Sequence, residues 1–204
     1  MPDYMQAPQE PKEYGIDAVI RLFQSIVPLS PSLVDAIAMH SRICTIKKGE
    51  QLLDMGRVCK SIYFIVSGGL RIYTMETDGS QSTSWLLFEN DLAIAVHSFF
   101  AQQPSFEGIE ALEDSVSVAL SYEHLQMLYQ QYETFNKVGR VLTEQYYMRS
   151  ELKAHQLRTL SAKQRYLNLL RAQPQVLQRV PLKYIASFLG ITQSTLSRVR
   201  KEVV

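Results

Sequence analysis

The chain has 204 residues, of which 46% are hydrophobic and 20% charged, and its formal net charge is +1. No stretch approaches the roughly 20 apolar residues of a membrane-spanning helix, and the polar residues 1–15 lack the basic and apolar parts of a signal peptide. Two cysteines, Cys44 and Cys59, are too few for a disulfide scaffold or a four-cysteine metal site. We therefore expect a cytoplasmic protein without a metal or cofactor.

The first part of the chain is predicted to be helical after a flexible leader at residues 1–15. Apolar residues at helical spacing predict a helix from Ile16 onward. Pro28 interrupts it, and Ser30 and Pro31 are suited to cap and begin a second helix that extends to Met39.

From Arg42 to Ser121 the pattern changes to short strands separated by turns that contain glycine. The predicted strands are Ile43–Ile46, Gln51–Leu53, Ser61–Val66, Leu70–Met75, Thr83–Phe88, Leu92–Val96, Ile109–Ala111 and Val116–Leu120. Asp78-Gly79 between the fourth and fifth of them predicts a hairpin. This number and spacing of strands predicts an antiparallel sandwich, barrel or jelly roll.

Residues Tyr122–Thr159 predict a short helix, a break near Tyr132 and a long helix over 133–160. At 1.5 Å per residue the long helix would measure roughly 40 Å, which exceeds the size of a small domain. Its broken apolar stripe needs a covering surface, and either a second copy of the chain or the β-rich domain alone would provide one. We favour a homodimer through residues 133–160. A further helix is predicted over Ser161–Gln173, capped by Ser161.

The net charge hides an asymmetry between the two parts of the chain. Residues 1–150 contain 11 Lys and Arg and 18 Asp and Glu, which gives a net charge of −7. Residues 151–204 contain 10 Lys and Arg and 2 Asp and Glu, which gives a net charge of +8. A basic tail behind an acidic body is typical of a nucleic-acid-binding module, and docking of the tail on the acidic body is an equal alternative on charge alone.

Residues Leu182–Lys201 fit a helix-turn-helix. Small Ala186 allows two helices to approach closely, and Gly190 provides the left-handed residue that ends the first. The shared core would consist of Ile185, Leu189, Ile191, Leu196 and Val199. Thr192 is placed to cap the second helix. An ordinary helical hairpin is the alternative, and the polar and basic face of the second helix argues against it.

Chemistry suggests a role for each residue on that face. Gln193, Ser194 and Arg198 are suited to base edges, and Ser197 shares their face. Thr192 and Thr195 are suited to phosphate at the helix N-terminus. Lys183, Arg200 and Lys201 would provide positive charge to the phosphate backbone of the DNA.

The order of jelly roll, long helix and helix-turn-helix resembles the CRP/FNR family of bacterial transcription regulators. The resemblance is carried by Lys48-Gly49-Glu50, by Ile62–Gly69 and above all by Ile185–Val199. It implies an α+β protein with a cyclic-nucleotide-binding-like jelly roll at 16–132, a dimerisation helix at 133–160 and a helix-turn-helix domain at 161–204. It also implies that a homodimer binds a pseudo-palindromic operator in double-stranded DNA. We expect no β wing after the second helix of the motif.

The effector segment departs from the members that bind cyclic nucleotides. Those members have a Gly-Glu pair and then an Arg-Ser or Arg-Thr pair, and residues Asp91–Gly108 contain neither, while Glu107 adds negative charge. A cyclic phosphate needs a fixed cation or converging donors, so we expect no binding of cyclic AMP. A residual pocket for an unknown small molecule, or simply a filled core, would be formed by Trp85, Leu87, His97, Ser98, Phe106, Tyr146, Arg149 and Ser150.

An enzyme is disfavoured, because the four histidines lack metal-ligand spacing and no GxSxG, Walker or CxxC pattern occurs. The sequence therefore predicts a DNA-binding transcription regulator without catalytic residues. The alternative is a cyclic-nucleotide-binding regulatory or interaction protein that does not act through DNA.

Overall fold

The computed structural model describes residues 11–203. Residues 1–10 of the expected leader lie outside the described residues, and helix α1 (Pro11–Gln24) begins before the predicted start at Ile16. Helix α2 (Pro31–His40) begins as predicted, because the Ser30 hydroxyl accepts a 3.2 Å hydrogen bond from the backbone N–H of Leu33 and proline needs no partner at the first helical position.

Eight strands follow, and all eight were predicted. They are β1 (Ser41–Ile46), β2 (Gln51–Leu53), β3 (Ser61–Ser67), β4 (Leu70–Met75), β5 (Gln81–Leu87), β6 (Leu92–Ala93), β7 (Glu107–Ala111) and β8 (Ser115–Ser121). They form two four-stranded antiparallel sheets with strand orders β1-β8-β3-β6 and β2-β7-β4-β5. The predicted jelly-roll class is therefore confirmed.

The segment after β5 differs from the prediction. The strand expected over Leu92–Val96 ends at Ala93, and a short helix α3 (Val96–Ala101) follows it. A short apolar run does not distinguish a strand from a buried helix by periodicity, which explains the difference. The helix buries Phe99 completely against the roll.

The helices after the roll agree closely with the sequence. Helix α4 (Tyr122–Gln131) ends at Tyr132, and α5 (Glu133–Thr159) follows at once. Helix α6 (Ala162–Ala172) starts with a capping box in which Ser161 and Gln164 each bond the backbone of the other. Three more helices complete the chain, α7 (Val176–Arg179), α8 (Leu182–Phe188) and α9 (Gln193–Val203), of which α7 was predicted as a connector.

Helix α5 presents two different faces. Phe135 and Val138 are buried against the roll, and Leu142 packs beside them. On the other side Met148 and Leu152 are 61% and 57% exposed. The broken stripe of the sequence is therefore two stripes, one that covers the roll and one that faces solvent.

Residues 11–203 form two hydrophobic cores. The first lies between the sheets and helices α1, α2, α4 and α5, and the second joins α6–α9 to the roll through Leu86, Phe88 and Leu112. No helix in the described part of the chain is both long enough and apolar enough to cross a bilayer.

Candidate nucleic-acid interface

The turn between α8 and α9 is set by Gly190. Its φ of +63° lies in the left-handed region, which an L side chain rarely adopts. The N–H of Gly190 bonds the carbonyl of Ser187 at 2.9 Å, and the N–H of Ile191 bonds the carbonyl of Ala186 at 3.0 Å. This pair of bonds is the Schellman ending of a helix, so the turn predicted from the glycine is confirmed.

Thr192 caps helix α9, as the sequence predicted. Its hydroxyl oxygen accepts a 3.2 Å hydrogen bond from the backbone N–H of Thr195, and it also lies 2.9 Å from the hydroxyl of Ser194. The cap fixes the start of α9 and leaves its first turn at the surface.

Helix α9 is strongly two-sided. Leu196 and Val199 are 1% and 6% exposed and pack on the core of the motif. The opposite face is exposed to solvent and carries Gln193, Ser194, Ser197, Arg198 and Lys201. Thr192 and Lys183 are also exposed, whereas Thr195 is half-buried. The structure therefore brings the residues proposed to read bases onto one open surface.

Arg198 is held loosely at this surface. One guanidinium nitrogen donates a 3.4 Å hydrogen bond to the hydroxyl of Thr195, and no carboxylate of the described residues pairs with it. A planar guanidinium without a salt bridge can present two donors to an acceptor pair in a groove.

The helix-turn-helix region docks on the roll through apolar and charged contacts. Arg179 bonds the carboxylates of Glu89 and Glu113, with nitrogen–oxygen distances of 2.7 and 2.5 Å, and its guanidinium lies 4.4 Å from the ring centre of Phe88. These bonds lower the pKa of Glu89 to about 2 and raise the pKa of Arg179. The acidic body and the basic tail are thus in direct contact at this point.

Arg71 makes a second contact between the two parts. Its side chain is 1% exposed, and its guanidinium lies 4.3 Å from the ring centre of Tyr73 and 3.8 Å from that of Tyr184 in α8. Its Nε donates a 2.9 Å hydrogen bond to the carboxylate of Glu110. The backbone N–H of Thr83 also bonds the hydroxyl of Ser187 at 3.1 Å. Sequence reasoning missed these contacts, because nothing local marks Arg71 as buried.

Residues 43–132 match the family model of the cyclic nucleotide-binding domain.

Solved structures agree over most of the chain. FixK2 from Bradyrhizobium japonicum has a TM-score of 0.68 at 16% identity, over 80% of this chain and 84% of its own. The c-di-GMP-responsive regulator CLP from Xanthomonas campestris has a TM-score of 0.67 at 17% identity, over 85% of this chain and 91% of its own. A structure described as a putative CRP/FNR-family regulator from Eubacterium rectale has a TM-score of 0.68 at 19% identity, over 85% of this chain and 83% of its own. A search of curated proteins finds no match. At these identities the comparisons establish a shared CRP/FNR-type fold, as the resemblance implied.

Five of the eight residues predicted to line a residual pocket form two groups with ring contacts. Trp85, Tyr146 and Arg149 meet, with the two rings 5.6 Å apart and the Arg149 guanidinium 5.5 Å from the Trp85 ring centre. His97 and Phe106 pair at 5.6 Å on the exposed surface. The other three predicted residues are Leu87, Ser98 and Ser150.

Two of these remaining residues have structural contacts. Leu87 is buried in the roll core. The Ser98 hydroxyl accepts a bond from the N–H of Cys59 at 2.8 Å and donates to the carbonyl of Gln103 at 2.6 Å, which closes the loop around α3. The Ser150 hydroxyl is buried without a hydrogen-bond partner among the described residues.

Sequence reasoning missed Lys153 in this region. Its Nζ lies 5.2 Å from the ring centre of Trp85 and 4.3 Å from that of Phe188 in α8, and it donates to the carbonyl of Ser84. The β4–β5 register skips Ser84 at a bulge, which leaves that carbonyl available. Burial lowers the pKa of Lys153 to about 8, and nearby Glu107 opposes this effect. The sequence did contain a signal for this position, since Lys153 lies one helical turn after Arg149, which was predicted to line the pocket, and so shares its face of the helix.

Replacing Lys153 by methionine should stabilise the protein at pH 7 by about 1–2 kcal/mol. A buried ammonium group costs free energy, and this gain exceeds the loss of the bond to Ser84. Between pH 8 and 10.5 the unfolded chain keeps the lysine proton that the folded chain has lost, so wild-type stability rises with pH and the advantage of Lys153→Met shrinks. Urea denaturation at pH 7 and pH 10 measures both effects, and a variant less stable than wild type at pH 7 would contradict this account.

Proposed function

We propose that the protein is a sequence-specific DNA-binding transcription regulator that acts as a homodimer. The observation that carries this proposal is the exposed polar face of α9, which follows a glycine turn and begins at a threonine cap. A helix presented in this way fits the major groove of B-DNA. The regulators with the same fold support the assignment to a binding protein and not to an enzyme.

The residues of this surface divide into two groups by chemistry. Gln193, Ser194 and Arg198 would contact base edges, Gln as a partner for adenine and Arg as a partner for guanine, and Ser197 shares their face. The second group would hold the phosphate backbone and consists of Thr192, Thr195, Lys183, Arg200 and Lys201. The net charge of +8 over residues 151–204 supports this backbone contact.

Dimerisation would use the solvent-facing stripe of α5. Val141, Gln145, Met148 and Leu152 follow one another at spacings of four, three and four residues, which is the spacing of a coiled-coil seam. Two copies of this stripe would cover each other and place two α9 helices on one DNA molecule. A pseudo-palindromic operator follows from that symmetry.

The roll is proposed not to bind cyclic AMP. No lysine or arginine occurs between Arg71 and Lys137, so the segment around α3 provides no cation for a cyclic phosphate. Glu107 lies in the same segment, and its ionised carboxylate would repel such a phosphate.

The direct test is selection of bound fragments from a genomic DNA library by the full-length protein at physiological salt. We expect recovery of fragments that share a two-fold symmetric motif. Recovery of fragments without any common motif would contradict sequence-specific binding. Parallel selections with and without cyclic AMP test the proposed insensitivity to that nucleotide.

Arg198→Ala and Lys201→Ala should weaken binding in different ways. Loss of a bidentate contact to guanine costs about 1–3 kcal/mol in each half-site, so a dimer of Arg198→Ala should bind the selected motif about 30-fold more weakly or worse and lose discrimination at one base pair of each half-site. Lys201→Ala should weaken all sequences alike and reduce the slope of affinity against salt concentration by about two, one for each half-site. Fluorescence anisotropy at several salt concentrations separates the two results, and equal behaviour of both variants would contradict the assigned roles.

A further inference from the structure

A cavity of about 270 Å³ lies at the junction of the roll, the long helix and the helix-turn-helix region. Trp85 and Leu86 of β5 form one wall, and the carboxyl-terminal half of α5 forms another. Helices α6 and α8 close it with Leu169 and Phe188. The cavity therefore contacts the roll, the long helix and the helix-turn-helix region at the same time.

The polar side chains of this cavity are cationic or neutral. Arg149, Lys153 and Arg165 line it together with the amides of Gln156, Asn168 and Gln173, and its lining contains no aspartate or glutamate. Three positive charges around one cavity, two from α5 and one from α6, repel each other unless anions neutralise them.

These cations are only partly neutralised. Arg149 pairs with Asp91 at 2.8 Å. Lys153 has a carbonyl partner, and its nearest opposing charge is Glu107. Arg165 bonds only the carbonyls of Leu157 and Leu160, at 3.1 and 3.0 Å, through one terminal nitrogen.

Two buried polar atoms at the cavity have no partner. The Nε of Arg165 and the Oε1 of Gln173 make no hydrogen bond with any of the described residues. Buried polar atoms are almost always satisfied, so the Nε of Arg165 calls for an acceptor such as an anion, whereas the Oε1 of Gln173 calls for a donor on another part of a ligand.

We propose that this cavity binds a small anion through a phosphate or carboxylate group held by Arg165 and Lys153. The exposed part of the Trp85 ring gives the rest of such a ligand an apolar wall. Binding at this site does not depend on the proposed function, whereas any effect of the anion on DNA affinity does. Because the ligand would bridge α5, α6 and α8, it would stabilise the docked arrangement of the helix-turn-helix region.

Trp85 provides a specific readout, since it is the only tryptophan in the sequence. We would titrate the full-length protein with inorganic phosphate, pyrophosphate and succinate at constant ionic strength, with chloride as the reference salt. We expect a saturable change in tryptophan emission with at least one of these anions, together with a rise in Tm. The phosphate and succinate arms distinguish phosphate from carboxylate ligands.

Variants make the test specific to the cavity. Lys153→Met and Arg165→Gln should each raise the anion concentration at half-saturation by roughly tenfold or more, because each removes a charge-assisted bond. Lys163→Gln is the matched control, since Lys163 lies two residues from Arg165 on α6 but is exposed and pairs with Glu202 on the surface. It should behave as wild type. Lys153→Met is expected to fold at least as stably as wild type, so its loss of response would not reflect unfolding.

Three outcomes would overturn the proposal. They are the absence of any saturable emission change beyond that of chloride, an unchanged response in Lys153→Met, and an equal loss in Lys163→Gln. If the protein binds DNA but shows no anion response, the proposed function stands and only the anion site is refuted.

Discussion

The double variant Met148→Glu/Leu152→Glu should be a monomer that has lost its affinity for a two-fold symmetric operator. The two side chains are 61% and 57% exposed on a helix whose other face is already buried by the roll. Covering a methionine or leucine side chain contributes about 1.5–3 kcal/mol, and a dimer would cover four of them. Glutamates at these positions would instead repel each other across the seam, so we expect the dimer dissociation constant to rise about 10³-fold or more.

Sedimentation velocity measures the oligomeric state of this variant, and fluorescence anisotropy measures its affinity for DNA. Separating the two α9 helices removes the gain from binding two half-sites at once, so DNA affinity should fall about 100-fold or more. Met39→Glu is the matched control, because Met39 is 77% exposed on α2 and lies outside the seam. A double variant that stays dimeric would contradict the interface assigned to α5.

Arg71→Ala should destabilise the protein by about 3–5 kcal/mol. Removing the guanidinium leaves the Glu110 carboxylate without its buried partner, and the loss of one member of a buried ion pair has this cost. It also empties the space between the rings of Tyr73 and Tyr184. Because Tyr184 belongs to α8, the variant should loosen the helix-turn-helix region from the roll as well as weaken the fold.

Urea denaturation measures the stability of this variant, and amide hydrogen exchange measures the loosening. Exchange should rise most in α8 and β5, which meet at this contact. Arg42→Ala is the control, since Arg42 is an exposed arginine on β1 and such substitutions usually change stability by less than about 0.5 kcal/mol. An Arg71→Ala protein as stable as the control would show that the two-ring contact contributes nothing.

Local patterns predicted the elements because each element is specified by residues near it in sequence. The break at Tyr132, the Ser161 cap and the Gly190 turn all depend on neighbours within four residues, and the structure places each as expected. Helix α3 is one exception, since its burial against the roll decides its form and no local pattern reports that burial.

The docking of the two parts could not be predicted for a related reason. Arg71 and Tyr184 are more than a hundred residues apart, and each carries an ordinary local pattern for its strand or helix. Charge composition indicated two parts of opposite sign but left open whether the basic tail faces DNA or the acidic body. Arg179 pairs with carboxylates of the body, whereas Arg198 has no carboxylate partner among the described residues. The tail therefore contains one arginine that docks it on the body and another that is available to a different partner.

The account depends most on the claim that two copies of α9 read one DNA site. A hydroxyl-radical footprint of the full-length protein on a selected fragment tests it directly, with Arg198→Ala as the paired measurement. We predict two protected half-sites with centres about one helical turn apart, roughly 34 Å, and loss of both in the variant at the same protein concentration. A single protected segment, or equal protection by wild type and Arg198→Ala, would contradict the account.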